Sequence, residues 1–328
     1  MPSPKRKGPY VSVLIPCYNV EKFLRQCMDS VVNQTLKDIE IICINDGSTD
    51  STLEILKEYA SYDSRIKIIN KPNSGYGDSM NAGLDLASSD YVGIVESDDF
   101  IEPDMFEKLY TTAKVNDLDI ARCQYFLYTS KDDENILCDT SYITKNTVYR
   151  PLDEVETFYQ PPAIWTNLVK KSLIKDNGIF FLPTPGASYQ DTSFAFKLYA
   201  MSERFGMIED VLLHYRIDNE ASSINSVNTK EKAYCVIKEC AEIRRFAKEK
   251  GLYHHLKKVI CKMKYATYIW NYKKLSGRLK AGFLIKVAKE FICDVLAGNV
   301  DKNLLSDYER KRLIKAIFRF LVSIRLKG

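Results

Sequence analysis

No run of apolar residues in the 328-residue chain approaches the roughly 18 needed to span a bilayer, so no transmembrane helix is expected. The basic start, MPSPKRKGPY, leads directly into the strand-like VSVLIPCYN, and without an intervening apolar stretch no signal peptide is expected. Histidine is scarce. There are three, and His254 and His255 are neighbours on a predicted helix, unable to share one face with a third ligand, which argues against a tetrahedral zinc site. The nine cysteines (17, 27, 43, 123, 138, 235, 240, 261 and 293) are odd in number and contain no CxxC pair. They predict reduced, buried thiols of a cytosolic protein rather than a disulfide framework. There are no internal repeats and no low-complexity tracts.

What is present is globular. Hydrophobic residues make up 45% and charged residues 27% of the chain, enough to bury a core. The formal charge of +4 conceals a division. Residues 1–228 hold 22 Lys/Arg against 34 Asp/Glu, a net −12, whereas residues 229–328 hold 25 against 9, a net +16. The asymmetry predicts two functional regions, the second facing an anionic partner such as a membrane surface, an acceptor or nucleic acid.

The first hundred residues alternate short β-branched runs (11–16, 39–46, 65–70 and 90–96) with helix-period stretches (20–32, about 50–62 and 78–87). Continuous apolar strands separated by helices specify an α/β fold with a mostly parallel sheet covered on both faces. Ligands then collect beyond the carboxyl ends of the strands. A Ser/Thr/Asp cluster is expected to cap the second helix. Further on, a helix over 104–115 and a strand near 119–128 precede a polar stretch (129–149) of hairpins or loops. The Pro-rich segments 160–171 and 182–194 read as loops leading into helices, and the chain beyond 228 reads as helical.

Each strand end carries polar residues. Strand one ends in Pro16-Cys17-Tyr18-Asn19, where Tyr18 either stacks on a flat base or lines a plain turn. Strand two ends in Asn45-Asp46-Gly47, whose carboxylate can accept from a base or ribose and can equally hold an Asp/Gly turn. After strand three, Asn73 to Gly83 precedes a helix, so its backbone N–H groups can face phosphates. This stretch is neither a Walker A loop nor a GxGxxG motif, which weighs against a nicotinamide dehydrogenase. Strand four ends in Glu96-Ser97-Asp98-Asp99. Three carboxylates so close repel one another, which folding tolerates best with a cation among them, and oxygen-only ligands suit Mg²⁺ or Mn²⁺ bridging a diphosphate; a solvated acidic turn is the alternative.

Taken in order, VSVLIPCYN, INDGSTD, NSGYGDSMNAG, VESDD and QDTSF resemble glycosyltransferase family 2 over about residues 10–220, the closest likeness being to its capsule, lipopolysaccharide and exopolysaccharide subgroup. The resemblance implies the GT-A fold and inverting transfer from a nucleotide-sugar, most often UDP-linked, to a hydroxyl of a lipid-linked or growing bacterial surface glycan. It places Pro16, Tyr18, Glu21 and Asp46 at the nucleoside, and Gly75, Gly77, Ser79 and Asn81 beside the donor. Glu96 and Asp98 fall at the nucleotide-sugar, Asp98 and Asp99 on a Mn²⁺ or Mg²⁺ ion, and Asp191 at the catalytic base, although its position before a helix would also suit an N-cap. His214-Tyr215-Arg216, followed by Ser222 and Ser223, corresponds to a later donor- or product-side segment. The chain departs from the family pattern at Asn45, Met80, Glu96 and Gln190, Met80 standing where an arginine facing the diphosphate is frequent. A sugar-nucleotidyltransferase and a silent nucleotide-sugar-binding scaffold are the alternatives.

The expected organisation is a catalytic domain over 1–228, with donor binding at about 10–100 and the acceptor side at about 101–228, and a basic helical region over 229–328. A terminal helix over 304–326 sets Leu313, Ile314, Ile317, Phe318, Leu321 and Val322 on one stripe with cations around it, which suits an anionic membrane surface or packing of the stripe onto the catalytic domain. The expected location is the cytoplasm or the inner face of the cell membrane. No nucleic-acid recognition module is recognisable. Trp165 is either an acceptor wall or core.

Overall fold

The computed structural model describes residues 8–141, 143–220, 229–301, 311 and 314–315. Most of the predicted terminal helix lies outside them, as do Ser222 and Ser223. The chain divides into two compact units, Met1–Gly186 with Phe194–Glu220, and Ala187–Ser193 with Ala221–Gly328.

The first unit is built on one ten-stranded sheet. Its first half follows β1 (Val11–Cys17), α1 (Glu21–Val32), β2 (Ile39–Asp46), α2 (Thr52–Tyr62), β3 (Ile66–Lys71), α3 (Tyr76–Leu86) and β4 (Tyr91–Ile94). Every residue of β1 and β2 is buried, as expected of parallel strands covered on both faces. Helix α1 buries Leu24, Cys27, Met28 and Val31, an i, i+3, i+4, i+7 stripe. Then come β5 (Phe100–Ile101), α4 (Met105–Val115), β6 (Ile120–Thr129), β7 (Glu134–Leu137), β8 (Val148–Tyr149), β9 (Asn167–Lys170), α5 (Lys171–Asp176), α6 (Gln190–Met201) and β10 (Phe205–Arg216).

Strand order is β3-β2-β1-β4-β9-β6-β10-β5, with β7 on β6 and β8 on β10. β1 lies parallel between β2 and β4, so the chain reverses its direction of growth across the sheet there. That reversal is the topological switch point, where crevices form outside the strand ends. β4 pairs with β1 only as far as Leu14–Ile94, and Pro16, which has no N–H to donate, comes two residues later.

Several expectations need correcting. Segments 160–171 and 182–194 were read as loops, but β9 occupies part of the first, pairing antiparallel with both β4 and β6. A four-residue strand is too short to show a period. β10 is twelve residues long and also escapes the pattern, because register shifts between Met207 and Val211 carry Glu209 and Asp210 outward as a bulge. The Ser/Thr/Asp cluster does cap the start of α2, through Asp50, which accepts from the Thr52 N–H at 3.1 Å, and not through Ser51.

The second unit contains α7 (Lys230–Glu249), α8 (Tyr253–Lys274) and α9 (Gly277–Leu296). Their core joins Val236, Cys240, Tyr265, Tyr268, Phe283 and Phe291, with Tyr189 packed against it. Among the described residues, no helix is long and apolar enough to cross a membrane.

Candidate active site

The loops after β1 and β2 are knitted together. Asn19, at φ +50°, accepts from the Thr49 N–H at 2.8 Å, and its own N–H donates to Ser48 Oγ. The Glu21 N–H donates to Asp50, and Glu21 Oε2 accepts from the Ser51 N–H at 2.8 Å. Glu21, predicted at the nucleoside, therefore ties the two loops to each other. Pro16 is buried within β1, while Tyr18 is 53% exposed at its end, its ring open to a planar ligand.

Asp46 is spoken for within the protein. Oδ1 accepts from Lys71 Nζ at 2.5 Å and from the Ser74 N–H at 3.0 Å, and Oδ2 accepts from the Gly75 N–H at 2.9 Å. Burial opposes its charge, yet these hydrogen bonds together prevail and hold its carboxyl below the usual range. Lys71 also reaches Asp78, at 3.1 Å, and Ser74 Oγ. Lys71 thus brings a cation into this loop, and the sequence reading missed it; its signal was a basic residue closing a strand at the sheet's ligand end. Met80, by contrast, is fully buried, so its side chain belongs to the core.

The glycines of the third loop serve packing. A Cβ on Gly77 would meet Leu182 O at 2.0 Å; one on Gly75, at φ +99°, would meet Thr184 O at 2.8 Å. The Tyr76 N–H donates to Gly186 O, and Asn81 bonds both the N–H and the C=O of Phe181. Gly75, Gly77 and Asn81, expected beside the donor, thus clamp residues 181–186 onto the start of α3. Ser79 is buried beneath them, its hydroxyl unpartnered.

The acidic segment lies between β4 and β5, beside the switch point. Glu96 Oε1 accepts from Tyr76 OH at 2.7 Å. Asp98 is half-buried, and its Oδ2 accepts from Asn219 Nδ2 at 2.7 Å. Asp99 is 1% exposed; Oδ1 accepts from the Arg216 N–H at 2.8 Å, while Oδ2 is buried without a partner. Burial, followed by the charge of Asp98, holds the Asp99 carboxyl well above the carboxylate range. Arg216 is itself buried and braces this segment. Nε donates to the Asp98 carbonyl at 2.7 Å, the guanidinium reaches Gln26 and Ser130, and it lies 4.6 Å from the Phe23 ring centre. His214 stacks on Phe100, with ring centres 4.2 Å apart, and meets Glu102 Oε1 at 2.9 Å. Trp165 stacks on Tyr215 against the core.

Among the described residues, no three His, Cys, Asp or Glu side chains converge into a protein-only metal cage. Mg²⁺ and Mn²⁺ do not require one, since one or two carboxylates suffice when phosphates and water complete the shell. The half-exposed carboxylate of Asp98 and the unpartnered Oδ2 of Asp99 fit that type of site.

Asp191 belongs to the second unit, in the first turn of α6. The turn follows Tyr189, at φ +66°, and Gln190 Oε1 accepts from the Ser188 N–H. Asp191 is therefore inside the helix rather than at its cap. Desolvation pushes its carboxyl up to about 6, against hydrogen bonds from Thr192 that lower it. Tyr189 OH donates to Asn271 at 2.9 Å, and the thiol of Cys235 donates to Ser188 O, so α7 and α8 hold the segment that presents Asp191.

The chain is similar to known proteins across most of its length. Glycosyl transferase family 2 matches residues 12–174. An uncharacterized glycosyltransferase of Haemophilus influenzae is 31% identical over 70% of this chain and 73% of its own length. The uncharacterized glycosyltransferase EpsJ of Bacillus subtilis is 32% identical, over 63% of this chain and 61% of its own, so the match spans about three fifths of that relative. Among solved structures, residues 1–349 of S. aureus TarS in complex with UDP-GlcNAc share the fold, with a TM-score of 0.70 at 18% identity, covering 97% of this chain and 92% of that one. A mannosyltransferase of Pyrobaculum calidifontis in complex with GDP-Man and Mn²⁺ aligns with a TM-score of 0.54 at 16% identity, over 96% and 87% of the two chains. A mostly parallel sheet with a switch point between β1 and β4, an acidic segment beside it, and these matches together establish that the chain belongs to glycosyl transferase family 2 and has the GT-A fold.

Proposed function

We propose that the chain is an inverting glycosyltransferase that moves a sugar from a UDP-linked donor to a hydroxyl of a bacterial surface glycan, carried on lipid or already growing. The observation that carries the reading is the acidic segment of Asp98 and Asp99 at the switch point, held by Arg216. Complexes of family-fold proteins with UDP-GlcNAc and with GDP-Man and Mn²⁺ support it.

Tyr18 offers its exposed ring to the base. Lys71, paired with both Asp46 and Asp78, holds the donor loop in place. Asp98 and Asp99 would hold a Mn²⁺ or Mg²⁺ ion, which when bound neutralises charge developing on the departing diphosphate. Asp191 takes the proton of the acceptor hydroxyl, whose oxygen attacks the anomeric carbon from the face opposite the diphosphate and inverts it. A carboxyl at about 6 is ionised at neutral pH and remains basic enough to accept that proton. On this reading the reaction runs in the cytoplasm or at the inner face of the cell membrane.

The test screens nucleotide-sugars for metal-dependent thermal stabilisation and release of nucleoside diphosphate, with Asp191→Asn alongside. The expected result is stabilisation in both proteins and turnover in the parent alone. Binding without turnover in the parent, over a range of acceptors, would instead indicate a scaffold. Release of inorganic diphosphate from a sugar phosphate and a nucleoside triphosphate would indicate a nucleotidyltransferase.

A further inference from the structure

Glu96, Asp98 and Asp99 crowd three acids into one segment, and the protein supplies a cation of its own beside them. Arg216 closes β10, is 3% exposed, and has its guanidinium engaged on several sides. Nε donates to the Asp98 carbonyl at 2.7 Å, Nη2 to Gln26 Oε1 at 2.5 Å, and Nη1 to Ser130 Oγ. The ring centres of Phe23, Tyr128 and Phe100 lie 4.6, 4.9 and 6.0 Å from Cζ. Side chains of α1, β5 and β6 thus fix the positive charge in place. The Arg216 N–H takes Asp99 Oδ1, which leaves Oδ2 as the open atom of that carboxylate. Burial, the charge of Asp98 and that of Glu96 all oppose ionisation of Asp99, while Arg216 favours it through its N–H and its positive charge.

A fixed cation has two opposed effects. With no metal bound it offsets the repulsion among the acids and stabilises the segment; with a divalent ion bound, the two positive charges repel. We propose that Arg216 is the resident counter-ion of the acidic segment, keeping Asp98 and Asp99 together without metal and loosening their hold on the metal when it binds. The inference rests on the reading of Asp98 and Asp99 as the Mn²⁺ or Mg²⁺ ligands. Arg216 acts through those carboxylates and is a positioning residue. A purely structural brace predicts the opposite sign, since a loosened segment would bind metal less well.

The test is Mn²⁺ affinity of the full chain, without and with saturating UDP. It is read from the electron paramagnetic resonance signal of the free ion and from the rise in thermal unfolding temperature. Arg216→Gln removes the charge; it should lower the metal-free unfolding temperature yet bind Mn²⁺ about 10-fold more tightly. Arg216→Lys loses the planar fork but keeps the charge, so it should unfold earlier and still bind Mn²⁺ as the parent does. Gln26→Glu, at an exposed position, sets a carboxylate on Nη2 and should tighten Mn²⁺ binding even if the Arg216 variants fail to fold. The proposal is overturned if folded Arg216→Gln or Gln26→Glu binds Mn²⁺ no more tightly than the parent, or if Arg216→Lys tightens binding as Arg216→Gln does. Asp98→Asn tests the reading beneath it. Mn²⁺ binding absent from the parent, or unchanged in Asp98→Asn, removes the metal site and this inference together. Binding lost in Asp98→Asn, with no tightening in Arg216→Gln or Gln26→Glu, removes this inference alone.

Discussion

Asp191 and Lys71 show how a single side chain is set by its surroundings. Burial raises the Asp191 carboxyl to about 6, so if it is the base as proposed, kcat/KM should rise with pH through about 6 and then level off. Asp191→Asn should lower kcat by about 100-fold or more, a steady-state assay at saturating donor giving the figure. A flat profile across that range would remove Asp191 from the proton transfer. Lys71→Met leaves the buried Asp46 charge with only the Ser74 and Gly75 N–H groups, and should cost about 2 kcal/mol in urea unfolding. The double variant with Asp46→Asn should recover much of that loss, since the charge is removed along with its partner. Additive losses would mean that the pair is not coupled.

At the scale of elements, the approach of residues 181–186 to the start of α3 depends on the absence of a side chain. Gly77→Ala puts a methyl 2.0 Å from Leu182 O, which rigid backbone cannot accommodate. About 2 kcal/mol of destabilisation is expected, with increased proteolysis between residues 182 and 189. The segment that presents Asp191 is held differently, by Tyr189 on Asn271 and by the Ser188 carbonyl on Cys235. Asn271 also donates to the Ala233 carbonyl of α7, so Asn271→Leu should lower both the thermal unfolding temperature and, on the proposed role of Asp191, kcat, while donor-induced stabilisation of the folded protein stays as it was; a parallel loss of donor-induced stabilisation would point to general unfolding. The strand patterns explain what was readable at this scale. β1 and β2 are mostly apolar and β-branched and were legible as interior strands, whereas β9 is four residues long and β10 is broken by a bulge, so neither produces a regular period.

For the molecule as a whole, Glu40 links stability to pH. It is buried in β2, where it accepts from Ser12 Oγ, the Ser88 N–H and Lys67. Burial alone would raise its carboxyl, but these partners together bring it down to about 2. Depression below the ordinary value of 4.5 stabilises the fold in full above about 4.5, and that contribution is lost as pH falls toward 2. It amounts to about 3 kcal/mol, so Glu40→Gln should flatten the acid limb of the stability curve measured by chemical denaturation at pH 2.5 to 6. An acid limb as steep as the parent's would assign the loss to other carboxylates.

The linear sequence was sufficient for the alternation of strands and helices, for the order of the strand-end motifs and for the family, because each is a local pattern of a few residues. It could not distinguish the partners of the acidic residues. Asp98 and Asp99 are neighbours in the chain, yet one is half-buried and the other sealed: Arg216, more than a hundred residues away on β10, bonds the Asp99 carboxylate through its N–H and the Asp98 carbonyl through Nε, while the Asp98 carboxylate meets Asn219. Gly75 and Gly77 read equally well as a phosphate cradle, and only the passage of residues 182–186 across them makes them packing glycines. Periodicity and motif reside in neighbouring residues, but burial, pairing and charge state depend on which distant strands the sheet brings together.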